Sequence, residues 1–299
     1  MIKLENVSKS YEAEIFKSKK RVVNKISLEI KKGSITGFLG ANGAGKSTII
    51  KLIMGFISPD EGIIHFGAEL GINKKSIFSK IGFLPERPFY YPHLTGREFL
   101  KYLGSLNKIS PSTMVQRIND LSGKLELSSH LDKKVNNYSK GMLQRLGLIG
   151  SLIHDPMILI LDEPLSGMDP LGRRIIKDML LDLNENNKTI FFSSHILSDV
   201  EEICDRVVIL DAGNLKYQGN KLDLFPVKNS FIVKVSGKLT PINKNLVIDL
   251  KYKAGNTYVE VLEPNLPEFL KDLWSASESI ISINRKNSTM EEVIFGLSG

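Results

Sequence analysis

Residues 40–47 read GANGAGKS and fit the phosphate-binding loop pattern G-x-x-x-x-G-K-[ST]. The stretch before this loop, 34–39, predicts a short buried strand, and residues 48–54 predict a helix that begins at the end of the loop. Glycines let several backbone N–H groups point at one anion, and the N-terminus of a helix adds its partial positive charge at the same place. The pattern therefore predicts a nucleoside triphosphate site, in which Lys46 reaches the β- and γ-phosphates and the Ser47 hydroxyl binds Mg²⁺.

Two later segments place acid–base groups where phosphoryl transfer would need them. The apolar run 157–161 predicts a strand buried on both faces, and Asp162 and Glu163 follow it directly. His195 follows the next predicted strand, 189–193. Phosphoryl transfer needs a phosphate cradle, a metal ion and a group that orients the attacking water. We expect Asp162 to face Mg²⁺, Glu163 to accept a proton from that water, and His195 to bond the γ-phosphate.

Tyr11 stands between two predicted strands, 1–7 and 22–30, that pair across a basic loop. A tyrosine after a strand can simply pack against the protein. It can equally be a platform for an adenine ring, because aromatic faces stack on bases. The residues alone leave both interpretations open.

Strands and helices alternate along residues 1–225, and this order predicts an α/β fold with a parallel sheet. Ligand sites in such sheets lie at the carboxyl ends of the strands, and Lys46, Asp162 and His195 all fall at such ends. Helical periodicity over 99–131 predicts a small helical subdomain, about 87–155, inserted into the core. The remaining predicted elements are strands at 63–66, 81–86 and 206–211, a break in the helical pattern near 109–111, and helices ending at 154, 184 and 204.

Residues 226–299 differ in sequence pattern from the preceding part and predict a small α+β domain without a group of catalytic residues. Its strands are predicted at 231–235, 257–261 and 280–285, and its helices at 266–274 and 288–297. We expect Trp274, the lone tryptophan, to lie in its core.

The composition is that of an ordinary globular protein, with 299 residues of which 42% are hydrophobic and 24% charged. The single cysteine, Cys204, lies in an apolar helical stretch, where we expect a buried structural thiol and a reducing compartment. No stretch approaches the about 20 apolar residues of a membrane span, and the N-terminus lacks the apolar core of a signal peptide. If the protein works at a membrane, we therefore expect it to be a peripheral subunit.

The formal net charge of +7 is compatible with a nucleic acid or an anionic membrane surface as a partner. The Lys and Arg residues are spread through the chain, however, and their tight cluster, 17–21, falls in a predicted hairpin loop. This cluster is either a solvated loop or a contact with anionic lipid headgroups or a membrane partner.

Together these motifs resemble those of the ATP-binding cassette (ABC) ATPases over residues 1–225. The matching residues are Tyr11 for the adenine-stacking aromatic, 40–47 for the Walker A loop, 138–142 for the signature motif, 158–163 for Walker B with its catalytic glutamate, 166–169 for the D-loop, and Ser194 and His195 for the switch histidine. The signature motif separates this family from other enzymes with a phosphate loop. The resemblance implies a P-loop ABC ATPase core, in which an antiparallel β subdomain accompanies a mostly parallel sheet, with the inserted helical subdomain and the C-terminal α+β domain added to it.

The resemblance also implies a homodimer of cassettes that close head-to-tail, with each ATP between the Walker A loop of one cassette and the signature motif of the other. Ser139 and the Gly141 N–H open a helix, so they would complete the phosphate site only in trans. Binding of two ATP molecules could then drive closure, and hydrolysis would release it.

The site residues implied in this way fall into three groups. The nucleotide-binding group is Tyr11, Gly40, Asn42, Gly43, Ala44, Gly45, Lys46, Ser47, Thr48, Ser139, Gly141 and Asp169. The catalytic group is Lys46, Glu163 and His195, and the group for Mg²⁺ is Ser47, Glu86 and Asp162.

Two motifs depart from the family pattern. Glu86 stands where the Q-loop has its usual glutamine, and a glutamate can still bind Mg²⁺ or its water, so we expect activity to survive. Lys140 and Met142 flank Gly141 where the signature has its usual glycine and glutamine. Lys140 either adds positive charge near the partner's nucleotide or faces solvent, and the Gly141 backbone remains available.

Residues 84–86, 91–98 and 288–295 look like the ATPase subunits of ABC-2 type exporters. Proteins of that group export lipids, polysaccharides, drugs or sodium through a separately encoded membrane subunit. The resemblance implies an integral membrane permease as the partner, a peripheral location on the cytoplasmic face of the inner membrane, and ATP and Mg²⁺ as cofactors. The aromatic segment near Tyr90 would contact the permease, or it is plain exposed hydrophobic surface.

A competing hypothesis is a soluble ABC ATPase that acts on ribosomes or DNA. Ribosome-acting relatives carry two cassettes in one chain, whereas this chain has one. Chromosome-type relatives insert a long coiled coil before the signature, and residues 47–139 contain no heptad run. A regulatory cassette without turnover is the third hypothesis, and Glu163 and His195 argue against it. We therefore expect ATP hydrolysis and no nucleic acid partner.

Overall fold

The structure, a computed structural model, describes residues 1–12, 19–224, 230–239 and 244–286. The chain divides into two compact units, Met1–Lys221 and Leu222–Leu297. Within the described ranges, every helix is too short or too polar to cross a membrane. The predicted helix 288–297, the exporter-like stretch 288–295 and residues 17 and 18 of the basic cluster lie outside the described residues.

The first unit contains two sheets. Its strands are β1 (Ile2–Glu12), β2 (Lys19–Ile30), β3 (Ile35–Leu39), β4 (Glu61–Phe66), β5 (Ile81–Leu84), β6 (Ile158–Leu161), β7 (Thr189–Ser194), β8 (Arg206–Asp211) and β9 (Asn214–Asn220). The six-stranded sheet has the order β5-β6-β7-β3-β8-β9. The first five strands in this order pair in parallel, and β9 is antiparallel to β8. The three-stranded sheet, β2-β1-β4, is antiparallel. The predicted α/β class, with a mostly parallel sheet and an antiparallel β subdomain, is confirmed.

Helices pack against the sheets, and several of them begin at the sequence motifs. They are α1 (Lys46–Ile53), α2 (Lys74–Phe78), α3 (Gly96–Leu106), α4 (Pro111–Lys124), α5 (Lys140–Leu152), α6 (Pro170–Glu185), α7 (Leu197–Ile203), α8 (Lys221–Leu224) and α9 (Leu266–Ser275). The helix α1 begins at the phosphate loop, α5 at the signature motif, α6 at the D-loop and α7 just after His195.

Buried aromatic and aliphatic side chains hold the strands that position the site. Phe38 on β3 and Phe191 on β7 are fully buried, and their ring centroids lie 5.2 Å apart. Gly37 lets α7 approach β3, because a Cβ there would lie 2.6 Å from Cγ1 of Val200 and 2.9 Å from Sγ of Cys204. Cys204 is buried as predicted, and burial raises the pKa of its thiol, so that the thiol stays protonated.

The helices α3, α4 and α5 form the predicted helical subdomain. Thr95 begins α3 with a capping box, because its side chain accepts from the Glu98 N–H and Glu98 accepts from the Thr95 N–H. Ser110 caps α4 and Pro111 is its first residue, which explains the predicted break near 109–111.

Several features of the first unit differ from the sequence-based prediction, which missed α2 and placed residues 19–21 of the basic cluster in a loop, whereas they lie in β2. The strand β1 runs to Glu12, so Tyr11 lies within it, paired with Lys20, and not in a connection between two shorter strands. The strand β9 was missed, because its polar sequence NLKYQGN shows no clear alternation. Its partner β8 supplies the apolar side chains, which is why β9 forms at the sheet edge.

The second unit contains a four-stranded antiparallel sheet and α9. Its strands are β10 (Ser230–Ser236), β11 (Val247–Lys253), β12 (Asn256–Leu262) and β13 (Ile280–Arg285), in the order β11-β12-β10-β13. Sequence reasoning missed β11, which is mostly exposed. It was also wrong about Trp274, which is 69% exposed, whereas Phe269 and Leu273 are buried. With 3.6 residues per helical turn, Phe269 and Leu273 share the face of α9 that meets the sheet, and Trp274 lies off it.

Candidate functional site

The phosphate-binding loop joins β3 to α1 and depends on its glycines. Gly43 and Gly45 have φ angles of 82° and 107°, which belong to the left-handed region. A Cβ on Gly45 would also lie 2.8 Å from the Val22 carbonyl oxygen, and one on Gly40 would lie 2.6 Å from the Leu210 carbonyl oxygen. The loop therefore needs glycine at 43 for its backbone angle, at 40 for its close contact with a neighbouring strand, and at 45 for both reasons.

A cavity of about 430 Å³ opens in front of this loop. The cavity is lined by Val22, Ala41, Asn42, Gly43, Gly45, Lys46, Ser47, Thr48, Glu86, Glu163, Ser166 and His195. No acidic residue occupies the first turn of α1, so its N-terminal N–H groups and dipole favour an anion. Ala44 is buried within the same loop, and its N–H donates to the Ala41 carbonyl at 3.1 Å.

Lys46 brings a buried positive charge into the cavity. Its side chain is 6% exposed, and its Nζ donates to the Gly40 carbonyl at 2.5 Å. The same Nζ lies 3.5 Å from Oε1 of Glu163. A buried ammonium needs anionic or hydrogen-bonding partners, and phosphate oxygens are suitable ones.

The parallel pairing of β6 and β7 brings three predicted residues to one sheet edge. The residues after β6 are Asp162 and Glu163, and His195 follows β7. Between them, the Ser193 hydroxyl donates to Oδ1 of Asp162 at 2.6 Å and accepts the Glu163 N–H at 2.8 Å. Asp162 is 5% exposed and does not line the cavity, whereas Glu163 does.

The Glu163 carboxylate lies between two nitrogen groups. Its Oε1 is 3.5 Å from Lys46 Nζ, and its Oε2 is 2.9 Å from Nδ1 of His195. Because an ionised carboxylate can only accept, Nδ1 of His195 carries the proton in this hydrogen bond. A carboxylate held at the cavity edge in this way can accept a proton from a nearby water.

Seven predicted residues do not line this cavity: Gly40, Ala44 and Asp162, which adjoin residues that do, and Tyr11, Ser139, Gly141 and Asp169. Tyr11 is 40% exposed on β1. The Ser139 hydroxyl accepts an N–H in the first turn of α5 at 3.3 Å, and the Asp169 carboxylate accepts one in the first turn of α6 at 3.2 Å. Within one chain, Ser139 and Asp169 are therefore helix N-caps.

Buried ion pairs join α6 to α7, the helices that follow the D-loop and His195. Asp199 is 1% exposed, and both its oxygens lie 2.6 Å from Nη2 of Arg173. Lys177 Nζ lies 3.1 Å from Asp199 Oδ1 and also pairs with Glu202. Burial lowers the pKa of Lys177, but its hydrogen bonds to these two carboxylates outweigh burial and raise the pKa.

Sequence reasoning missed two residues of the site, Val22 and Ser193. Val22 carries no chemical signal, since it lines the cavity only because β2 passes beside the loop. Ser193 is a polar residue at the end of an apolar strand, but its contact with Asp162 depends on the pairing of β6 with β7, which the local sequence does not show.

Comparisons with known proteins identify the family. A family model described as ABC transporter matches residues 23–166. An uncharacterised ABC transporter ATP-binding protein of Nostoc sp. is 39% identical over 269 residues, which cover 89% of this chain and 80% of the relative. The chain belongs to the ABC transporter family.

Two further matches agree with this assignment. The bacitracin transport ATP-binding protein BcrA of Enterococcus faecalis is 38% identical over 100% of this chain and 96% of its own length. A solved structure of the ATP binding subunit of an ABC transporter superposes with a TM-score of 0.66 at 28% identity, over 75% of this chain and 91% of that chain. The family predicted from the motifs is confirmed, and the chain is an ABC ATP-binding subunit whose ATP hydrolysis is coupled to transport. ABC ATP-binding subunits work with membrane permeases and dimerise as cassettes.

Lys140, at the ABC signature position where glycine is usual, lies over the D-loop of its own chain. A Cβ on Gly167 would overlap the Lys140 ammonium, and the Lys140 side chain is otherwise exposed. Gly167 has a φ of 68°, so glycine is favoured there for its backbone angle as well. In the single chain, Lys140 therefore contacts the D-loop as well as facing solvent.

Proposed function

We propose that this chain is the ATPase subunit of an ABC-2 type exporter, acting as a homodimer with a separately encoded integral membrane permease. Its place would be peripheral, at the cytoplasmic face of the membrane. One observation supports the ATPase site above all: the Glu163 carboxylate lies between Lys46 and His195 at the edge of the phosphate-loop cavity. Residues 1–225 would form the nucleotide-binding domain, and residues 226–299 an accessory domain.

The hydrolytic roles follow from the charges in this cavity. The N–H groups of the loop and of α1 would bind the phosphates, and Lys46 would exchange its contact with Glu163 for phosphate oxygens. Glu163 would then be free to accept a proton from water, while His195 bonds the γ-phosphate. The remaining nucleotide contacts would come from Gly40, Asn42, Gly43, Ala44, Gly45, Ser47, Thr48 and, at the adenine, Tyr11.

The oxygen donors of the site fit Mg²⁺. The described residues contain no cluster of three or more His, Cys, Asp or Glu side chains that could hold a metal by themselves. Mg²⁺ suits such a site, because it commonly uses one or two protein oxygens together with phosphate oxygens and water. Ser47 and Glu86 line the cavity, Asp162 precedes Glu163, and all three offer hard oxygen ligands. A Mg²⁺ ion held there would neutralise charge on the β- and γ-phosphate oxygens.

A second copy of the chain would supply the other wall of each ATP site. Ser139 and Gly141 begin α5 without lining their own cavity, and the first turn of α5 contains no acidic residue. The N-terminus of α5 is therefore suited to an anion that its own chain does not hold. Head-to-tail closure would bring it to the γ-phosphate bound by the partner, with Asp169 at the same interface.

An exposed aromatic patch, defined as Phe89, Tyr91 and Tyr102, offers a surface for the permease. Phe89 is 79% exposed, and the rings of Phe89 and Tyr102 each lie 5.6 Å from that of Tyr91. Tyr90 faces inward instead: its hydroxyl donates to a carbonyl of α5 at 2.5 Å, and burial raises its pKa. Tyr90 thus joins the segment to α5, and the patch beside it presents exposed aromatic rings, as protein contact sites often do.

The relative that matches along the whole chain supports an export substrate of the drug class. BcrA of Enterococcus faecalis is named as a bacitracin transport ATP-binding protein, and its similarity extends over the C-terminal residues as well as the nucleotide-binding domain. We therefore propose that the permease partner moves a drug-like compound out of the cell.

Co-purification from solubilised membranes tests the proposed partnership. We expect the tagged chain to recover one integral membrane permease, and Phe89→Ala to recover at least about tenfold less because the most exposed aromatic ring of the patch is lost. Trp274→Ala, which removes an aromatic ring of similar exposure from the second unit, is the matched control and should recover as much as the unsubstituted chain. Equal recovery with Phe89→Ala would show that the patch does not contact the permease, and recovery of no membrane protein would contradict the proposed function.

A further inference from the structure

The Ser193 hydroxyl contacts both Asp162 and Glu163, the two acidic residues proposed to bind Mg²⁺ and to activate water. Ser193 is fully buried, and it occupies the sheet position beyond the pair formed by Leu161 and Phe192, level with Asp162. On its other side it pairs with Phe38 of β3, the strand that leads into the phosphate loop. Its position is therefore fixed from both neighbouring strands.

Donor and acceptor can be assigned in only one way in the two hydrogen bonds of the Ser193 hydroxyl. The Glu163 N–H can only donate, so the hydroxyl oxygen accepts from it, at 2.8 Å. The hydroxyl proton is then directed to Oδ1 of Asp162, at 2.6 Å, because an ionised carboxylate can only accept. A short bond of this kind to a charged acceptor is stronger than one between neutral groups.

The backbone of Glu163 requires such support. Its φ of 52° lies in the left-handed region, which a glutamate rarely adopts. Its N–H is held by Ser193, and its carbonyl accepts from Nε2 of the buried Gln144 at 3.4 Å. This conformation directs the side chain into the cavity, between Lys46 and His195.

We propose that Ser193 is a positioning residue of the hydrolytic site. Its hydroxyl orients the Asp162 carboxylate, leaving Oδ2 for the divalent cation, and holds Glu163 in the conformation that presents its carboxylate to water. The inference rests on the proposed role of Asp162 in binding Mg²⁺. Groups that orient a metal ligand by a hydrogen bond typically change metal affinity or activity about 10- to 100-fold when they are removed.

The test compares Ser193→Ala and Ser193→Cys with the unsubstituted chain. Cysteine keeps nearly the volume of serine but is a weak donor, so it separates loss of the hydrogen bonds from loss of packing and replaces Ser193→Ala if that variant does not fold. We expect both variants to need about 10- to 100-fold more Mg²⁺ for half-maximal hydrolysis and to have a lower kcat. Binding of Mn²⁺ with a non-hydrolysable ATP analogue, followed by electron paramagnetic resonance, should weaken in parallel. Binding of ATP without metal should stay within about twofold.

The control is Ser151→Ala, which removes a buried serine hydroxyl that donates to the Leu148 carbonyl within α5. Ser151→Ala should lower the free energy of unfolding without changing the dependence of hydrolysis on Mg²⁺. Ser193→Thr, which keeps a hydroxyl at this position, should retain most of the metal affinity. The inference is wrong if the Ser193 variants fold and keep the metal dependence of the unsubstituted chain, or if metal-free ATP binding falls in parallel. Hydrolysis by the unsubstituted chain without any divalent cation would instead contradict the proposed role of Asp162.

Discussion

Glu163, the residue proposed to activate water, has a backbone conformation that costs free energy. A non-glycine residue in the left-handed region costs about 1–3 kcal/mol, which the surrounding contacts must offset. Two hydrogen bonds to the backbone of Glu163 offset this cost: its N–H donates to Ser193, and its carbonyl accepts from Gln144. The strained residue is thus the same one that would activate water, which is where such strain is commonly found.

The local sequence could predict residues of the phosphate loop but not Ser193. Lys46 and Ser47 sit in a contiguous loop whose glycine spacing determines the backbone, so a local pattern is sufficient to find them. The contact of Ser193 with Asp162 depends on the register between β6 and β7, which lie far apart in the chain. Register between distant strands is set by packing, and a single sequence does not show it.

His154 should make the stability of the first unit sensitive to acid. Its Nε2 lies 3.1 Å from the Ile81 carbonyl, and burial lowers its pKa more than this hydrogen bond raises it. The unfolded chain then takes up a proton near the ordinary pKa of about 6.5, while the folded chain does so at lower pH. The free energy of unfolding should therefore be full above that pH and fall as the pH drops below it.

Urea unfolding at about pH 7.5 and about pH 5.5 measures this effect, with His154→Gln as the variant that cannot titrate. We expect the loss of unfolding free energy between the two pH values to be smaller in His154→Gln. An equal loss in both proteins would show that other groups are responsible.

At the scale of elements, alternation of strands and helices was sufficient to predict the α/β class. The strands of the parallel sheet are apolar and buried on both faces, so their pattern is strong. The edge strands β9 and β11 were missed because they are half-exposed or exposed and their residues show no matching pattern. Trp274 was placed wrongly for a different reason, because residue type alone does not give the face of α9 on which a side chain lies.

The ion pairs between α6 and α7 should stabilise the first unit strongly. Asp199→Ala would leave Arg173 and Lys177 without their buried partner, and breaking a buried pair in this way costs about 3 kcal/mol. The free energy of unfolding in urea measures the loss.

Asp178→Ala is the matched control. Its carboxylate pairs with Arg174 on the surface of α6 at 3.8 Å, with both side chains mostly exposed, so its loss should cost less than about 1 kcal/mol. Equal losses in the two variants would mean that Asp199 does not hold the two helices together.

At the scale of the whole molecule, the proposed ATP site would need two copies of the chain. Each chain would supply the phosphate loop and Glu163 to one site and the N-terminus of α5 to the other. The sequence could indicate this only through the family resemblance, because Ser139 and Gly141 lie away from the cavity of their own chain. ATP would then act as the bridge between cassettes, and its hydrolysis would open them.

Light scattering of Glu163→Gln with ATP and Mg²⁺ tests this claim most directly. Glutamine keeps the shape of the side chain but cannot accept a proton as a carboxylate does, so hydrolysis should fall at least about 100-fold while ATP stays bound. We expect a particle of twice the 33.4 kDa chain mass with ATP and Mg²⁺, and of the single mass when Lys46→Ala is added to remove phosphate binding. A Glu163→Gln protein that stays at the single mass with ATP and Mg²⁺, or that hydrolyses ATP at the unsubstituted rate, would contradict the account.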